Sequence, residues 1–316
     1  MIVALGDVMV DTIVHIADAI RIDADNPAQV LRSLGGQAAN TAAWLRATGA
    51  RVHLVGVVGD DSAAGWVRDR VAGLDITHTL VTVPGATGEC VIITSENGTR
   101  TMFPSSGANV RIGAPEVEQS LMDLIRDRPA HLHVSGYAAL HDPDFVNRLL
   151  DQASINGART SLDSAALTAT SASDHWRSAH LAALPHVDIL LATAQEVQSL
   201  RELPPPVNAS FDSAMAIAEG LQGAVSTATW PDAVVMKAGA LGAFVITPST
   251  VTHIAAQAEH VADTTGAGDA FAGGFLAALV RGSSVIESAQ EGASVAAVAV
   301  AGIGGQPAIR EGHHGG

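Results

Sequence analysis

One stretch organises the chain: Asp263-Thr264-Thr265-Gly266-Ala267-Gly268-Asp269-Ala270-Phe271-Ala272-Gly273-Gly274-Phe275-Leu276. It joins a turn of small residues to an apolar segment with helical spacing, and either Thr264 or Thr265 is placed to cap that helix. The first N–H groups of such a helix are unpaired donors at the positive end of the helix dipole. The sequence therefore predicts an anion site at Gly266, Ala267 and Gly268.

Asp269 puts a carboxylate at this predicted anion site. An acidic residue in a first helical turn usually only compensates the dipole. The alternative is a base that takes a proton from a hydroxyl while backbone amides hold the phosphoryl group under attack. The stretch is not a dinucleotide fingerprint, because Phe271 stands where the third glycine is required. It is not a Walker loop either, since no Lys-Ser or Lys-Thr pair follows.

Composition excludes several classes of protein. The 316 residues are 47% hydrophobic and 16% charged, which predicts one large or two modest well-packed domains. A net charge of −15 argues against nucleic acid and anionic membranes as partners. Cys90 is the sole cysteine, so neither an intrachain disulfide nor a cysteine metal cluster is expected. We find no signal-peptide pattern and no apolar run of ~20 residues, and we expect a cytoplasmic protein.

Apolar runs alternate with helical segments along most of the chain. Ile2–Leu5 and Val52–Val58 are typical of buried strands, and Ala38–Thr48 and Ala63–Ala72 of helices. Further strands are expected at 131–136, 160–163, 187–192 and 233–236, with a hairpin partner at 244–247. This alternation predicts an α/β fold with a parallel sheet.

The segment Leu80–Phe103 breaks this rhythm with strand-like runs at Leu80–Val83, Cys90–Thr94 and Arg100–Phe103. A strong hairpin turn signal, 95–98, separates the last two. We predict a small antiparallel sheet that forms a lid over an active site, built roughly from residues 11–33 and 78–104. An edge extension or a dimer surface is the alternative.

A second glycine motif precedes the first predicted helix, in Gly35-Gly36-Gln37-Ala38-Ala39-Asn40. The double glycine lets the backbone approach a ligand closely. Asn40 either caps the helix or faces a ligand with a donor and an acceptor. Asp11 follows the first strand, where open α/β sheets gather ligands, although a plain turn aspartate is the alternative.

Together these residues resemble the ribokinase-like, PfkB-type family of carbohydrate kinases. Gly35–Asn40, followed by Gly49 and Val55–Asp61, resembles the family's N-terminal signature, and Asp263–Phe271 its C-terminal signature. The resemblance covers essentially the whole chain. It implies a single domain over residues 1–316, a three-layer α/β/α fold with a mostly parallel central sheet, and a small β-sheet lid.

The resemblance further implies phosphoryl transfer from ATP, with Mg²⁺, to a hydroxyl of a small sugar or sugar acid. Asp269 would be the general base, and the anion hole would consist of Gly266, Ala267 and Gly268. The substrate would be held by Asp11, Gly35, Gly36, Gln37, Asn40 and Arg100. Arg100 would meet an acidic sugar, with a solvated strand residue as the alternative.

The same resemblance assigns the nucleotide and metal residues. The nucleotide would be lined by Thr193, Lys237, Gly239, Gly242 and Gly268. Glu196 would act on Mg²⁺ through water. A potassium site found in part of the family would use Asp263 and the carbonyls of Thr265, Ala299, Gly302 and Gly304.

The chain also departs from the family pattern. Thr193 replaces the asparagine of the family's Asn-x-x-Glu motif, and Gln37 stands where ribokinases carry lysine. No acid occurs near Ser135–Tyr137, where ribokinases contact ribose, which argues against simple ribose specificity. A nucleoside kinase and a non-catalytic sensor remain alternatives, although 3% aromatic residues disfavour the first and an intact Asp269 the second. Pairing of lid strands into a homodimer is left open.

Overall fold

The computed structural model describes residues 1–307 except 18, 96–99, 166–173, 203–209, 226 and 228. The predicted turn at 95–98 therefore lies mostly outside the described residues. No helix among the described residues has the length and apolarity needed to cross a membrane.

Thirteen strands and ten α-helices form the described part of the chain. The strands are β1 (Ile2–Leu5), β2 (Met9–Ile16), β3 (Ala28–Gly35), β4 (Val52–Val58), β5 (Thr77–Thr82), β6 (Gly88–Ser95), β7 (Arg100–Ser105), β8 (His131–Ser135), β9 (Arg159–Asp163), β10 (Ile189–Thr193), β11 (Ala233–Lys237), β12 (Ala243–Ile246) and β13 (Val251–Ile254). The helices are α1 (Gln37–Ala47), α2 (Ser62–Gly73), α3 (Pro115–Arg126), α4 (Gly136–His141), α5 (Pro143–Ile155), α6 (Asp174–Ala183), α7 (Ala194–Leu200), α8 (Phe211–Val225), α9 (Ala267–Val280) and α10 (Val285–Val300).

The central sheet has nine strands in the order β13-β12-β11-β10-β9-β8-β1-β4-β5. All neighbours pair in parallel except β12 and β13, which form an antiparallel edge beside β11. Buried residues of α3 and α5–α8 pack on one face, and those of α1, α2, α9 and α10 on the other. Because helices cover both faces, the parallel strands are near-continuous apolar runs. The predicted three-layer α/β/α fold is confirmed.

A second sheet of four strands has the order β3-β2-β6-β7, and we call it the small sheet. Its β2–β3 and β6–β7 pairs are antiparallel, whereas β2 and β6 are parallel. The predicted small antiparallel sheet is confirmed in two of its three strand pairs. The parallel β2–β6 pair differs, because the chain passes through the central sheet before it adds β6. The assignment of Leu80–Val83 to the lid is also wrong. These residues belong to β5 and its end, which pair with β4 after the crossover helix α2.

Helix α9 begins without a side-chain cap, so the predicted threonine cap is wrong. Gly266 is the N-cap in a left-handed conformation, with φ of 71°. The Thr265 hydroxyl instead donates to Asp263 Oδ1 at 2.7 Å, which fixes the turn before the helix. A Cβ at position 266 would lie 2.5 Å from the Cα of Gly305, so glycine is required for space as well as for conformation.

Candidate active site

Polar residues gather where the carboxyl ends of the parallel strands meet the first turn of α9. Asp163 ends β9, Thr193 ends β10 and Lys237 ends β11, while Asp7 follows β1. Ligands of open α/β sheets bind at this edge. The fold therefore brings Asp269 next to side chains that are remote in sequence.

Asp269 lies in the first turn of α9 and accepts a hydrogen bond from Asn40 Nδ2 at 2.9 Å. Burial raises the pKa of the Asp269 carboxyl to about 8. The hydrogen bond from Asn40 and the charge of Lys237 oppose this rise, whereas the charges of Asp163 and Asp7 add to it. A pKa near neutrality is the value that suits a general base.

The predicted anion hole is a turn whose donors are only partly used. The Ala267 N–H donates to the Thr264 carbonyl at 3.3 Å. In the part of the chain that the structure describes, the N–H of Gly268 has no acceptor. Since the turn carries no capping side chain, this donor and the helix dipole are available to an anion.

Lys237 brings a cation to the same place. Its Nζ lies 2.6 Å from Asp163 Oδ2, and a Cβ added to Gly268 would lie 3.4 Å from that Nζ. Burial alone would lower the pKa of Lys237, but the charges of Asp163, Glu196 and Asp269 outweigh it and raise the pKa. Lys237 is therefore a charged, largely buried group beside the first turn of α9.

Asp163 is a site residue that the sequence did not single out. It is buried and holds Lys237 in place. The sequence shows that Asp163 is a polar residue at the end of a predicted strand. No motif distinguishes it from the polar residues that end other strands.

The start of α7 carries the predicted Mg²⁺ residue. Thr193 and Glu196 form a capping box, in which Glu196 Oε2 accepts from the Thr193 N–H at 2.7 Å and Thr193 Oγ1 accepts from the Glu196 N–H at 3.2 Å. Glu196 Oε2 also accepts from Ser164 Oγ at 2.8 Å. Threonine thus takes the capping role that asparagine would have. No group of three or more His, Cys, Asp or Glu residues among the described residues forms a metal cage.

Carboxylates near phosphates nevertheless fit Mg²⁺, which commonly takes one or two protein carboxylates with water and substrate phosphates. The charges of Glu196 and Asp163 both raise the pKa of Lys237, so two carboxylates lie near this cation. The glycine turn that was predicted to line the nucleotide, residues 238–242, comes directly after β11. Gly239 has open space around its α-carbon, whereas Gly242 packs against the backbone of 254–256.

On the substrate side, Asp11 lies on β2 against Gly35. A Cβ at Gly35 would lie 2.1 Å from the Asp11 carboxyl carbon, so only glycine leaves room. Burial, and then the charge of Asp7, raise the pKa of Asp11 to about 7. Gly36 has φ of 93° and packs on the Asp7 backbone. Asp11, Gly35, Gly36 and Asn40 thus lie close together, and their contact with substrate hydroxyls stays a prediction.

Gln37 makes different contacts from those expected of a ligand residue. Its Oε1 accepts from the Gly136 N–H at 3.2 Å, and its own N–H donates to Asp7 Oδ2 at 3.0 Å. Asp7 also accepts from Ser135 Oγ at 3.0 Å, and burial raises its pKa. Gln37 therefore joins α1 to α4 and to the end of β1.

Tyr137, the only tyrosine, is a second residue that the sequence did not assign to the site. It is partly buried at the start of α4. Burial raises its pKa to about 12, and the negative charges of Asp7 and Asp269 add to that rise. Its phenol therefore lies within electrostatic range of Asp7 and Asp269.

Arg100 reaches the turn before α9 from β7. Its Nη1 donates to Thr264 Oγ1 at 3.1 Å and to Thr265 Oγ1 at 3.3 Å. The small sheet is thereby joined to the anion hole. In this arrangement Arg100 is engaged by the two hydroxyls, and its predicted contact with an acidic sugar stays a prediction.

The residues expected at a potassium site brace the same turn. Asp263 accepts from the Thr265 N–H at 2.8 Å and from the Gly304 N–H at 2.9 Å. Burial would raise the pKa of Asp263, but these hydrogen bonds outweigh it and lower the pKa. The Ala299 carbonyl accepts from the Gly302 N–H at 3.1 Å. A potassium site stays a prediction.

Comparisons with known proteins agree with this geometry. A family profile described as pfkB family carbohydrate kinase matches residues 1–311. An ATP-dependent ribose-1-phosphate kinase from Halopiger xanaduensis is 28% identical over 86% of this chain and 81% of its own length. An adenosine kinase from Schizophyllum commune is 27% identical over 81% of this chain and 75% of its own length.

Solved structures show the same fold. Adenosine kinase from Sinorhizobium meliloti superposes with a TM-score of 0.80 and 25% identity, covering 98% of this chain and 96% of that one. Ribokinase from Giardia lamblia superposes with a TM-score of 0.79 and 19% identity, covering 96% of this chain and 95% of that one.

Proposed function

The chain belongs to the pfkB family of carbohydrate kinases, and on this premise we propose that it transfers the γ-phosphoryl group of ATP to a hydroxyl of a small neutral sugar or nucleoside. One observation carries the proposal. A carboxyl with a pKa of about 8, Asp269, lies in the same helical turn as the open N–H of Gly268 and near the ammonium of Lys237.

In the proposed reaction, Asp11 accepts hydrogen bonds from the substrate and directs one hydroxyl toward Asp269. Asp269 removes the proton of that hydroxyl as the oxygen attacks the γ-phosphorus, and the bond to the β-phosphate oxygen breaks. The Gly268 N–H and Lys237 stabilise the charge on the transferring group. Bound with ATP, Mg²⁺ supplies further charge neutralisation, and Glu196 and Asp163 would hold it through water.

The charge of the pocket favours a neutral acceptor. Asp7, Asp11 and Asp269 lie among the residues predicted to bind the substrate, while Arg100 is bound to two threonines and Lys237 to Asp163. A carboxylate or phosphate on the acceptor would therefore lie among carboxyl groups and would disfavour the ionised form of Asp269 that acts as the base. A sugar acid is the second candidate, and it requires Arg100 to leave Thr264 and Thr265.

A nucleoside is the other candidate, and it is supported by the adenosine kinases among the relatives. In that case Asp11 would accept hydrogen bonds from the ribose hydroxyls.

A coupled assay of ADP release with ATP and Mg²⁺ tests the proposal. The acceptor panel contains adenosine and other nucleosides, pentoses, ketohexoses, sugar acids and ribose 1-phosphate. We expect turnover with a neutral acceptor and its loss in Asp269→Asn, whereas the exposed Asp69→Asn variant retains it. Full activity of Asp269→Asn, or turnover with anionic acceptors alone, would overturn the mechanism or the acceptor class respectively.

A further inference from the structure

Two amide side chains in series end on the Asp269 carboxyl. Asn40 Nδ2 donates to Asp269 Oδ2 at 2.9 Å, and Asn40 Oδ1 accepts from Gln306 Nε2 at 3.0 Å. Asn40 comes from the first turn of α1, whereas Gln306 comes from the loop 301–307 that follows α10. Gln306 belongs to neither glycine motif.

The loop 301–307 is held against α1 at a second point. Trp44 Nε1 donates to the Gly305 carbonyl at 2.9 Å. A Cβ at Gly305 would lie 3.0 Å from Asn40 Nδ2, and a Cβ at Gly266 would lie 2.5 Å from Gly305 Cα. Gly305 therefore fills the space between Asn40 and the anion hole, and Gln306 is kept within reach of Asn40.

The direction of the two hydrogen bonds matters because a carboxylate only accepts, while an amide has one donating and one accepting end. As Gln306 donates to Oδ1, Asn40 turns its Nδ2 toward Asp269. The reversed amide would place two acceptor oxygens together, which is tolerated only when Asp269 carries a proton.

We propose that Gln306 is a positioning residue for the base: it fixes the orientation of Asn40 so that Asp269 is presented to the substrate as a proton acceptor. The inference rests on the proposed function for its kinetic consequence only. The hydrogen bond from Asn40 lowers the pKa of Asp269 against the effect of burial, which agrees with this role. The second hydrogen on Asn40 Nδ2 stays available to a substrate hydroxyl.

Other titratable groups also influence the pKa of Asp269, and all variants must keep them unchanged. They are Asp7 after β1, Asp163 on β9, Lys237 on β11 and Tyr137 on α4. None of them lies on α1 or on the loop 301–307. A substitution at Gln306 therefore changes neither these residues nor the helices and strands that carry them.

The test uses Gln306→Met, which keeps the length of the side chain and removes the donor, and Gln306→Glu, which replaces the donor by an acceptor. In Gln306→Glu the new carboxylate draws Asn40 Nδ2 to itself, so that Oδ1 faces Asp269. Trp44→Phe is the matched control, because it removes the other hydrogen bond between this loop and α1, while the packing of Gly305 against Asn40 and both amides stay unchanged.

The primary measurement is a pH titration of the ¹³C-labelled aspartate carboxyl carbons in the full-length protein, with the Asp269 resonance assigned by its loss in Asp269→Asn. We expect its midpoint to rise by about one pH unit in Gln306→Met, a tenfold change in the proton equilibrium, and by more in Gln306→Glu. Trp44→Phe should leave the midpoint unchanged, even where its melting temperature falls as far as that of Gln306→Met.

The acidic limb of the pH profile of kcat/KM should move by the same amount on the substrate that the panel identifies. An unchanged Asp269 midpoint in both Gln306 variants overturns the inference, and so does an equal shift in Trp44→Phe. If the wild type phosphorylates no acceptor, the proposed function fails, but the titration still decides the role of Gln306.

Discussion

Replacing Asp269 by Asn should abolish turnover and stabilise the protein at the same time. The amide keeps the size of the carboxyl and still accepts the hydrogen bond from Asn40 Nδ2, but it cannot take a proton. Loss of a general base costs about 10²- to 10⁴-fold in kcat. Burial raises the pKa of Asp269 from an ordinary 3.8 to about 8. At pH 7 this carboxyl is therefore mostly protonated in the folded state but ionised in the unfolded state, so folding takes up a proton and becomes less favourable as the pH rises.

The sign follows from proton binding. Between pH 3.8 and 8 the folded state binds more protons at Asp269 than the unfolded state does, so stability falls as pH rises through this window. Each pH unit contributes about 1.4 kcal/mol, which gives an upper bound of about 4 kcal/mol at pH 7. The Asn variant escapes this cost.

Urea unfolding at pH 5, 7 and 8 measures the difference between Asp269→Asn and the wild type. We expect the variant to be more stable, by an amount that grows with pH, whereas the exposed Asp69→Asn shows no such trend. A pH-independent difference would refute the raised pKa. Retained turnover would refute the role of Asp269 as base.

Three further perturbations test other parts of the site. Lys237→Met should lower kcat by about 10²- to 10³-fold, because the cation that stabilises the transferring group is lost, and steady-state kinetics measures this. Arg100→Gln should loosen the small sheet from Thr264 and Thr265 and raise substrate-independent ATP hydrolysis relative to kinase turnover; an unchanged ratio contradicts this role. Burial lowers the pKa of His133 from 6.5 to about 4, so its share of stability is lost as pH falls below 6.5. Between pH 7 and 5 the wild type should lose about 2 kcal/mol of unfolding free energy relative to His133→Asn, as followed by urea midpoints.

The sequence was sufficient where a local pattern carries the information. The runs Ile2–Leu5 and Val52–Val58 are strands as predicted, since burial on both faces leaves a continuous apolar signature. The glycine turn and the acid at Gly266–Asp269 could also be identified from the sequence. Glycines that lead into a helix with unpaired N–H groups are typical of an anion site.

Contacts between residues that are distant in sequence could not be predicted. Whether Leu80 belongs to the central or to the small sheet depends on which strand it pairs with, and both sheets accept the same β pattern. Thr265 is a good cap by type, but Asp263 takes its hydroxyl. Asp163 matters because β9 and β11, at opposite sides of β10, bring it to Lys237. The sequence predicts that Asn40 binds the substrate. It does not reveal the hydrogen bond from Asn40 to Asp269, because the two residues are 229 positions apart.

The hydrogen bonds from Gln306 through Asn40 to Asp269 also affect the order in which the active site is assembled during folding. During synthesis, every strand of the central sheet and helices α1–α10 are made before Gln306, and a domain generally folds as a unit. The base then receives its oriented partner only when the loop 301–307 closes over α1, through a contact of very large sequence separation. A chain in which this loop has not closed would thus hold a base whose amide partner is not oriented.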